Sequence, residues 1–215
     1  GRVAKLKIKG LLLKYDDITR QITHKASYQD EMDFLVKHES RNRFIRNLTL
    51  STEGNTLVLF QYVEKHGKVL HQMLEQKIGG HRKLFFVHGA VDAEAREDIR
   101  AITETQHDAI IVASYGTCST GINIPNLDTL IFASPSKSKI RVLQSIGRGL
   151  RLADGKTHAR LIDFVDDLRI GASVNHTFRH AEQRVQYYMS EHFPFTMHEM
   201  SLEDWFRCQQ MPTDT

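Results

Sequence analysis

The chain is poor in cysteine and has no long apolar run, and these shortages exclude several classes of protein. Only two of its 215 residues are cysteines, Cys118 and Cys208, which excludes a disulfide framework and fits a reducing compartment. No apolar stretch approaches the ~20 residues of a membrane-spanning helix, and no signal-peptide pattern opens the chain. We therefore expect a protein of the cytoplasm.

Metal-binding patterns are also missing. The 12 histidines are scattered, with no HExxH motif and no paired His/Cys spacing, so we predict no metal site and expect most of them at the surface or at helix ends. A net charge of +3 permits a nucleic-acid partner where basic groups cluster. The length suits one α/β domain or a domain with appendages. Because the chain begins at Gly1 inside a strand-like pattern, we expect a piece of a longer polypeptide.

Short apolar runs alternate with helical patterns along most of the chain, which indicates an α/β fold. Continuous apolar runs of this length are typical of strands buried on both faces, and their alternation with helices predicts a parallel sheet flanked by helices. Ligands of such sheets bind beyond the carboxyl ends of the strands. The predicted strands are TLVLF (56–60), KLFFVH (83–88), AIIVAS (109–114), TLIFAS (129–134) and ARLIDF (159–164).

The two ends of the chain differ from this alternating region. Residues 3–15 read as a strand with one wet face at a sheet edge, because Leu6 and Ile8 alternate with lysines. Residues 16–27 are polar and predict a loop, and residues 28–50 predict two helical pieces. Residues 176–193 predict a long basic helix that packs on the sheet or contacts branched DNA. We expect its Tyr187–Tyr188 pair in the core, and the alternative is a platform on which bases stack.

The triplet GKT at 155–157 is not a P-loop. The motif G-x-x-x-x-G-K-[ST] would require glycine at position 150, which is Leu150, and the preceding segment reads as a helix and not as a strand. No apolar strand ends in a DExD/H-type acidic pair either, since the acidic run in ARLIDFVDD has the wrong sequence. The chain therefore has neither the phosphate cradle nor the Mg²⁺ carboxylates of an ATPase.

Four residues near position 148 favour phosphate chemistry of another kind. Gln144, Gly147, Arg148 and Arg151 stand at i, i+3, i+4 and i+7, which is one face of a helix. Gly147 costs the helix about 1 kcal/mol relative to alanine, which close approach of a ligand or a backbone would offset. Two arginines one turn apart can stabilise the charge of a phosphate in a transition state. The alternative is an ordinary solvated face.

The loop ASYGTCSTGINIP (113–125) follows a predicted buried strand. Its small and hydroxyl-bearing residues, with Gly116 and Gly121 for tight backbone, suit phosphate contacts through N–H and O–H groups. The alternative is a plain connection from a strand to a helix.

Taken in order, four stretches resemble motifs IV, IVa, V and VI of the second RecA-like domain of superfamily 2 helicases. They are LVLFQYVEKHG, FFVHGAVDAEAR, VASYGTCSTGINIP and QSIGRGLR, at about 55–151. The residues of the later motifs, together with the tail at 176–193, most resemble the phage UvsW branch-migration helicases. This group is related to the RecG and XPB types. The resemblance implies a P-loop NTPase-type lobe without its own P-loop over 1–170 and a C-terminal helical extension over 171–215.

The resemblance also implies roles for individual residues. Arg148 and Arg151 would be the catalytic arginines that reach the γ-phosphate of ATP. Gly121, Asn123, Gln144 and Gly147 would bind or shape the nucleotide site, although the family often has aspartate where this chain has Asn123. The residues implied at the nucleic-acid backbone are Gln61, Tyr62, Gly89, Ser114, Tyr115 and Lys137. On charge alone, Lys139 could bind phosphate beside Lys137.

The implied function is that of the C-terminal motor lobe of an ATP-dependent DNA helicase acting on branched or single-stranded DNA in recombination and repair, in the host cytoplasm for a phage protein. ATP and Mg²⁺ would be held mainly by an N-terminal RecA-like lobe of the same polypeptide, and this chain alone is expected to be inactive. Two alternatives stay open. One is the translocase lobe of a restriction enzyme subunit, and the other is a non-catalytic nucleic-acid-binding module with a degenerate motor fold.

Overall fold

The computed structural model describes residues 6–152 and 154–210, which form a parallel sheet between two layers of helices. In chain order the elements are β1 Leu6–Lys14, α1 Asp17–Thr23, α2 Tyr28–Lys37, α3 Glu39–Ser51, β2 Thr56–Phe60, a π-helical turn Val63–Gly67, α4 Lys68–Lys77, β3 Leu84–Val87, α5 Asp92–Thr105, β4 Ile110–Ser114, α6 Tyr115–Cys118, β5 Ile124–Pro125, β6 Thr129–Phe132, α7 Lys139–Gly149, β7 Leu150–Arg151, β8 Ala159–Asp167, α8 His176–Ser190, β9 Phe195–Ser201 and α9 Leu202–Gln210.

The main sheet has seven strands in the order β3-β4-β2-β6-β8-β1-β9, and every neighbouring pair is parallel. The central strand β2 is buried along its whole length, as its unbroken apolar sequence predicts. Its alternate residues enter two different cores, one packed against α5, α7 and α8 and the other against α2, α3 and α4. The prediction of a parallel α/β sheet is confirmed.

Strand β1 is not at an edge of the sheet. Its wet-face pattern is present, since Leu6 and Ile8 are buried while Lys7 and Lys9 are exposed. However, β8 pairs on one side and β9 on the other, with Ile8 opposite Phe195. The prediction failed because most residues of β9 are exposed, so its sequence carries no buried-strand pattern. The extension after residue 170 is therefore not wholly helical.

The polar segment 16–27 contains a helix, α1, where a loop was predicted. Asp16 begins the helix by accepting a hydrogen bond from the Thr19 N–H at 2.8 Å. Ile18 and Ile22 are both 69% exposed, so this helix has no buried apolar stripe for periodicity to detect. The two helical pieces predicted over 28–50 are confirmed as α2 and α3.

Helix α8 packs its Tyr188 ring inside the core, as predicted for the tyrosine pair, while Tyr187 packs against that core from a half-buried position. Of the helices in the described part of the chain, none combines the length and the apolar composition that crossing a bilayer requires.

Candidate functional site

The carboxyl ends of the parallel strands bring the predicted nucleic-acid residues to one edge of the sheet, which we call the carboxyl edge. Strands β3, β4, β2 and β6 are neighbours and all end there. The six residues predicted at the nucleic-acid backbone lie at the ends of these strands or just beyond them: Gln61, Tyr62, Gly89, Ser114, Tyr115 and Lys137. The structure thus gathers residues that are up to 76 positions apart in sequence.

Ser134, just beyond β6, joins three segments of this edge. Its hydroxyl oxygen accepts the Gln61 N–H at 3.0 Å, and its carbonyl accepts the Tyr115 hydroxyl at 2.6 Å. The same hydroxyl lies 2.5 Å from Nδ1 of His66 in the π-helical turn. These bonds fix the end of β2 against the end of β6.

His66 is a buried structural residue that the sequence did not single out. Burial lowers its pKa to about 3, with a smaller contribution from Arg41, so the ring is neutral. Nε2 lies 2.8 Å from Oδ1 of Asn42, whose amide nitrogen donates to the Val36 carbonyl. Nε2 must therefore carry the proton, and Nδ1 accepts from the Ser134 hydroxyl. No local pattern distinguishes this histidine from the surface ones.

The side chain of Tyr115 does not face the predicted nucleic-acid surface. It is 1% exposed, and its hydroxyl is already bonded to the Ser134 carbonyl. The neighbouring Ser114 begins α6 by accepting the Thr117 N–H at 3.1 Å. A nucleic-acid contact by the Tyr115 side chain is thus excluded by its burial, because the ring packs against Phe132 in the core.

The two lysines after β6 have opposite environments. Lys137 is exposed, and its Nζ lies 4.3 Å from the centre of the Tyr28 ring. Lys139 is buried and pairs with Asp163 of β8 at 3.1 Å. The phosphate contact considered for Lys139 is therefore wrong, since its ammonium group already has a carboxylate partner inside the fold.

Asp163 is the centre of a buried charged cluster that joins α7 and α8 to the sheet. Besides Lys139, it accepts hydrogen bonds from Arg184 Nε at 2.8 Å and from the Tyr188 hydroxyl at 2.6 Å. These cations hold the pKa of Asp163 far below its usual range despite burial. Burial, and then the neighbouring Arg184, lower the pKa of Lys139 to about 8.

A second buried pair lies on the other face of β8. Arg41 of α3 forms a bidentate pair with Asp166 at 2.9 and 3.1 Å, and it donates to the Ala133 carbonyl at 2.7 Å. Tyr15 donates to the same carboxylate at 2.7 Å. Asp163 and Asp166 of β8 thus form structural ion pairs. The described residues contain no cluster of carboxylate, histidine and cysteine groups that could hold a metal ion.

The four residues predicted on one helix face, Gln144, Gly147, Arg148 and Arg151, are all exposed, and we call them the arginine surface. The prediction that all four lie on one helix is wrong. Helix α7 ends at Gly149, and Arg151 lies on strand β7, which pairs with β5. The helical spacing does not extend to Arg151, because β7 pairs with β5 where a further helical turn was expected.

The arginine surface lies far from the carboxyl edge. Helix α7 starts just after β6 ends there and runs back for 11 residues, about 16 Å at 1.5 Å per residue. The Arg151 carbonyl then accepts the Asn126 N–H at 2.9 Å, close to the amino end of β6. The arginines and the predicted nucleic-acid residues thus occupy opposite ends of the sheet.

Gly149, not Gly147, makes a close backbone approach. A Cβ atom on Gly149 would lie 1.6 Å from the Ile122 carbonyl oxygen, whereas one on Gly147 would meet no atom within 4 Å. The end of α7 is therefore pressed against the loop 113–125. No atom of the described residues requires glycine at position 147.

The loop 113–125 presents its predicted nucleotide residues to solvent beside the arginines. Gly121, with φ of +54°, and Asn123 are exposed, whereas Ile122 and Ile124 between and after them are buried. The β5–β7 pairing and the Gly149 contact attach this loop to the arginine surface. The structure therefore brings Gly121 and Asn123 to the same region as the predicted catalytic arginines.

The GKT triplet begins in a turn and is not a P-loop. Gly155 has φ of +79°, and the segment leads into β8. A P-loop would instead connect the end of a strand to the start of a helix.

A seven-stranded parallel sheet between two helical layers, matched to a solved helicase structure over most of the chain, is the fold of a RecA-like helicase lobe. A model of the helicase conserved C-terminal domain matches residues 39–153. This match covers more than half of the chain, and the chain belongs to that family.

Named relatives agree with this assignment. The ATP-dependent DNA helicase uvsW of Enterobacteria phage T4 is 33% identical over 94% of this chain and 42% of the relative. The crystal structure of T4 UvsW matches with a TM-score of 0.77 and 31% identity, over 93% of this chain and 42% of that one. The chain thus spans about two fifths of this relative's length.

Two more distant structures show the fold alone. The C-terminal domain of the DEAD-box protein Dbp5 gives a TM-score of 0.55 at 14% identity over 97% of each chain. The type ISP restriction-modification enzyme LlaBIII bound to DNA gives 0.56 at 16% identity, over 96% of this chain and 16% of that one.

Proposed function

We propose that the chain is the C-terminal motor lobe of an ATP-dependent DNA helicase and that Arg148 and Arg151 act on ATP held by an N-terminal lobe of the same polypeptide. One observation carries the proposal. Both arginines are exposed, and among residues 6–152 and 154–210 no side chain or carbonyl pairs with either guanidinium. An arginine held ready for an external phosphate would have this environment.

The backbone around Arg151 supports a role that needs a fixed position. Pairing of β7 with β5 and the contact of Gly149 with Ile122 hold the strand, while the guanidinium itself stays exposed. Arginine suits phosphate recognition because its planar group presents several donors at once. Two such groups stabilise the charge that spreads over the γ-phosphate during transfer.

ATP and Mg²⁺ are proposed to be held mainly by the N-terminal lobe, since this chain's sequence has no P-loop. Gly121, Asn123, Gln144 and Gly147 would line the side of the nucleotide cleft that this lobe contributes. When bound, Mg²⁺ supplies charge neutralisation at the phosphates. Closure of the two lobes on ATP and their reopening after hydrolysis would move the protein along the strand.

DNA is the proposed track, gripped at the carboxyl edge by Gln61, Tyr62, Gly89, Ser114 and Lys137. The relative named as a DNA helicase supports DNA. The sequence resemblance to branch-migration helicases supports branched DNA in recombination and repair. Because the grip is on phosphates, binding should depend little on base sequence and strongly on salt.

The test joins this chain to its natural upstream sequence and measures DNA-stimulated ATP hydrolysis. Arg151→Ala should lower kcat by on the order of 10³-fold, because transition-state charge loses its partner. Arg179→Ala, which removes another exposed arginine, on α8, is the matched control and should leave kcat unchanged. Unchanged turnover in Arg151→Ala would contradict the proposal.

The same preparation separates the alternatives. Absence of any DNA-stimulated hydrolysis in the joined protein would favour a non-catalytic binding module. Hydrolysis that requires a restriction-enzyme partner subunit would favour a translocase lobe of that class.

A further inference from the structure

We propose that a recess between the segment after β6 and helix α8 binds a phosphodiester group of single-stranded DNA. The recess has a volume of about 150 Å³, several times the ~30 Å³ share of a liquid water molecule, which is enough for a tetrahedral phosphate. It is lined by Ser136, Lys137, Ile140, His180, Gln183 and Arg184. This inference rests on the proposed function only in taking DNA as the ligand.

The lining is suited to an anion. It contains no carboxylate, and it combines the exposed Lys137 ammonium group with the Arg184 guanidinium, which also pairs with Asp163, and with imidazole and amide groups. Nδ1 of His180 is buried and has no hydrogen-bond partner among the described residues. A buried nitrogen without a partner is uncommon in folded proteins, and a phosphodiester oxygen would satisfy it by accepting the Nδ1–H of the tautomer that carries its proton there.

The charges behind the recess also favour an anion. Asp163 is paired with two cations, Lys139 and Arg184, so this buried cluster carries one positive charge in excess. Glu31, whose oxygens accept the N–H groups of His176 and Thr177 at the start of α8, keeps its negative charge nearby. Burial lowers the pKa of His180, followed by Lys137 and Arg184, whereas Glu31 opposes them by less, so the cations dominate the field at this ring.

The recess is continuous with the carboxyl edge where DNA is proposed to lie. Ser136, which lines it, donates a hydrogen bond to Oε1 of Gln61 at 2.8 Å. Lys137 also lines it, with its Nζ over the Tyr28 ring, and the same ring contacts His180 edge-on at 5.3 Å. A strand that follows the edge past Gln61 would thus reach the recess with its next phosphates.

His180 and Gln183 belong to α8, outside the region that the helicase family model covers. The recess therefore gives the C-terminal extension a specific task. It would add a DNA contact to those made by the strand ends of the lobe.

The test measures binding of a fluorescein-labelled oligothymidylate to the 215-residue chain by fluorescence anisotropy at several salt concentrations. Gln183→Glu places a carboxylate in the recess and should weaken binding about tenfold. Lys137→Gln should weaken it and reduce the slope of log affinity against log salt by about 0.7, the value for one contact to single-stranded DNA.

Gln186→Glu is the matched control, since it makes the same change on the same helix but lines a separate depression next to β9. It should alter affinity by less than about twofold. Equal weakening by Gln183→Glu and Gln186→Glu would show a general charge effect and overturn the proposal. So would an unchanged affinity in Gln183→Glu, or no binding by the wild-type chain.

A second measurement distinguishes DNA from free phosphate. The ring signals of His180, assigned by their loss in His180→Gln, should shift in NMR spectra when oligothymidylate is added. If inorganic phosphate shifts them at an equal or lower concentration, the recess serves free phosphate and the DNA assignment is wrong. Because Arg151 lies at the other end of the sheet, the ATPase test of the proposed function is independent of this result.

Discussion

The arginines of this lobe fall into two groups with opposite environments. Arg41 and Arg184 are buried on opposite faces of β8, and each is bonded to an aspartate of that strand. Arg148 and Arg151 are exposed and have no side-chain partner in the described part of the chain. The first pair holds α3 and α8 on the sheet, whereas the side chains of the second pair form no ion pair or hydrogen bond with the described residues.

Burial and pairing identify the arginines that hold the fold together, which the spacing of arginines in the sequence does not. A buried arginine must be paired, because an unpaired buried charge is strongly destabilising. An exposed arginine has no such requirement, so Arg148 and Arg151 are available for the external ligand proposed for them. The comparison predicts that damage to the buried group lowers stability and damage to the exposed group lowers activity.

The largest effect on stability is expected from Asp163→Asn, because it leaves Lys139 and Arg184 as two buried cations without a counter-charge. We expect the free energy of unfolding to fall by about 3–5 kcal/mol, measured by urea denaturation. Asp98→Asn, at an exposed position in α5, is the control and should stay within about 0.5 kcal/mol. A similar small change in Asp163→Asn would show that the cluster is not structural.

The titration of the buried Lys139 should make the stability of the protein depend on pH. Its folded pKa of about 8 lies below the ordinary value of 10.5, so the unfolded chain binds the proton more tightly. Stability should therefore rise with pH above about 8 as the folded lysine loses its charge, by up to roughly 3 kcal/mol at completion near pH 10.5.

The measurement compares unfolding free energies of wild type and Lys139→Met from pH 7 to pH 9.5. Met removes the titrating group. The unfolding free energy of wild type minus that of the variant should therefore rise with pH, because contributions from other titrating groups cancel in this difference. Parallel curves for the two proteins would refute the assignment.

Two glycines at the end of α7 should respond in opposite directions. Gly149→Ala must displace the Ile122 carbonyl and should destabilise by about 1–3 kcal/mol. Gly147→Ala meets no atom and should stabilise by up to about 1 kcal/mol through helix propensity. Chemical denaturation of both variants measures the difference, and destabilisation by Gly147→Ala would show a hidden constraint at that position.

The smallest stability effect is expected at the exposed arginines. Arg148→Ala and Arg151→Ala should each change the free energy of unfolding by less than about 0.5 kcal/mol, because neither guanidinium has a partner to lose. Thermal and urea melts of the 215-residue chain provide the measurement. A loss above about 1 kcal/mol would place these arginines with the structural group and weaken the case for a role at ATP.

The carboxyl edge and the parallel sheet could be predicted from the sequence, whereas the roles of several charged residues could not. Apolar runs such as TLVLF are visible without a structure because strands buried on both faces need apolar residues throughout. Lys139 and Lys137 look alike in sequence, yet one enters the core to meet Asp163 and the other stays in solvent. Their difference depends on Asp163, which lies 24 residues from Lys139 in the sequence.

The sequence by itself determined the alternation of strands and helices, the order of the helicase-like stretches and the exposed character of the arginine surface, because each follows from residues close together in the chain. Only the tertiary structure decided that β9 completes the sheet, that His66 is buried and neutral, and that Arg151 ends on a strand held by β5. These features arise from contacts between distant segments, and such contacts leave no local periodicity to read.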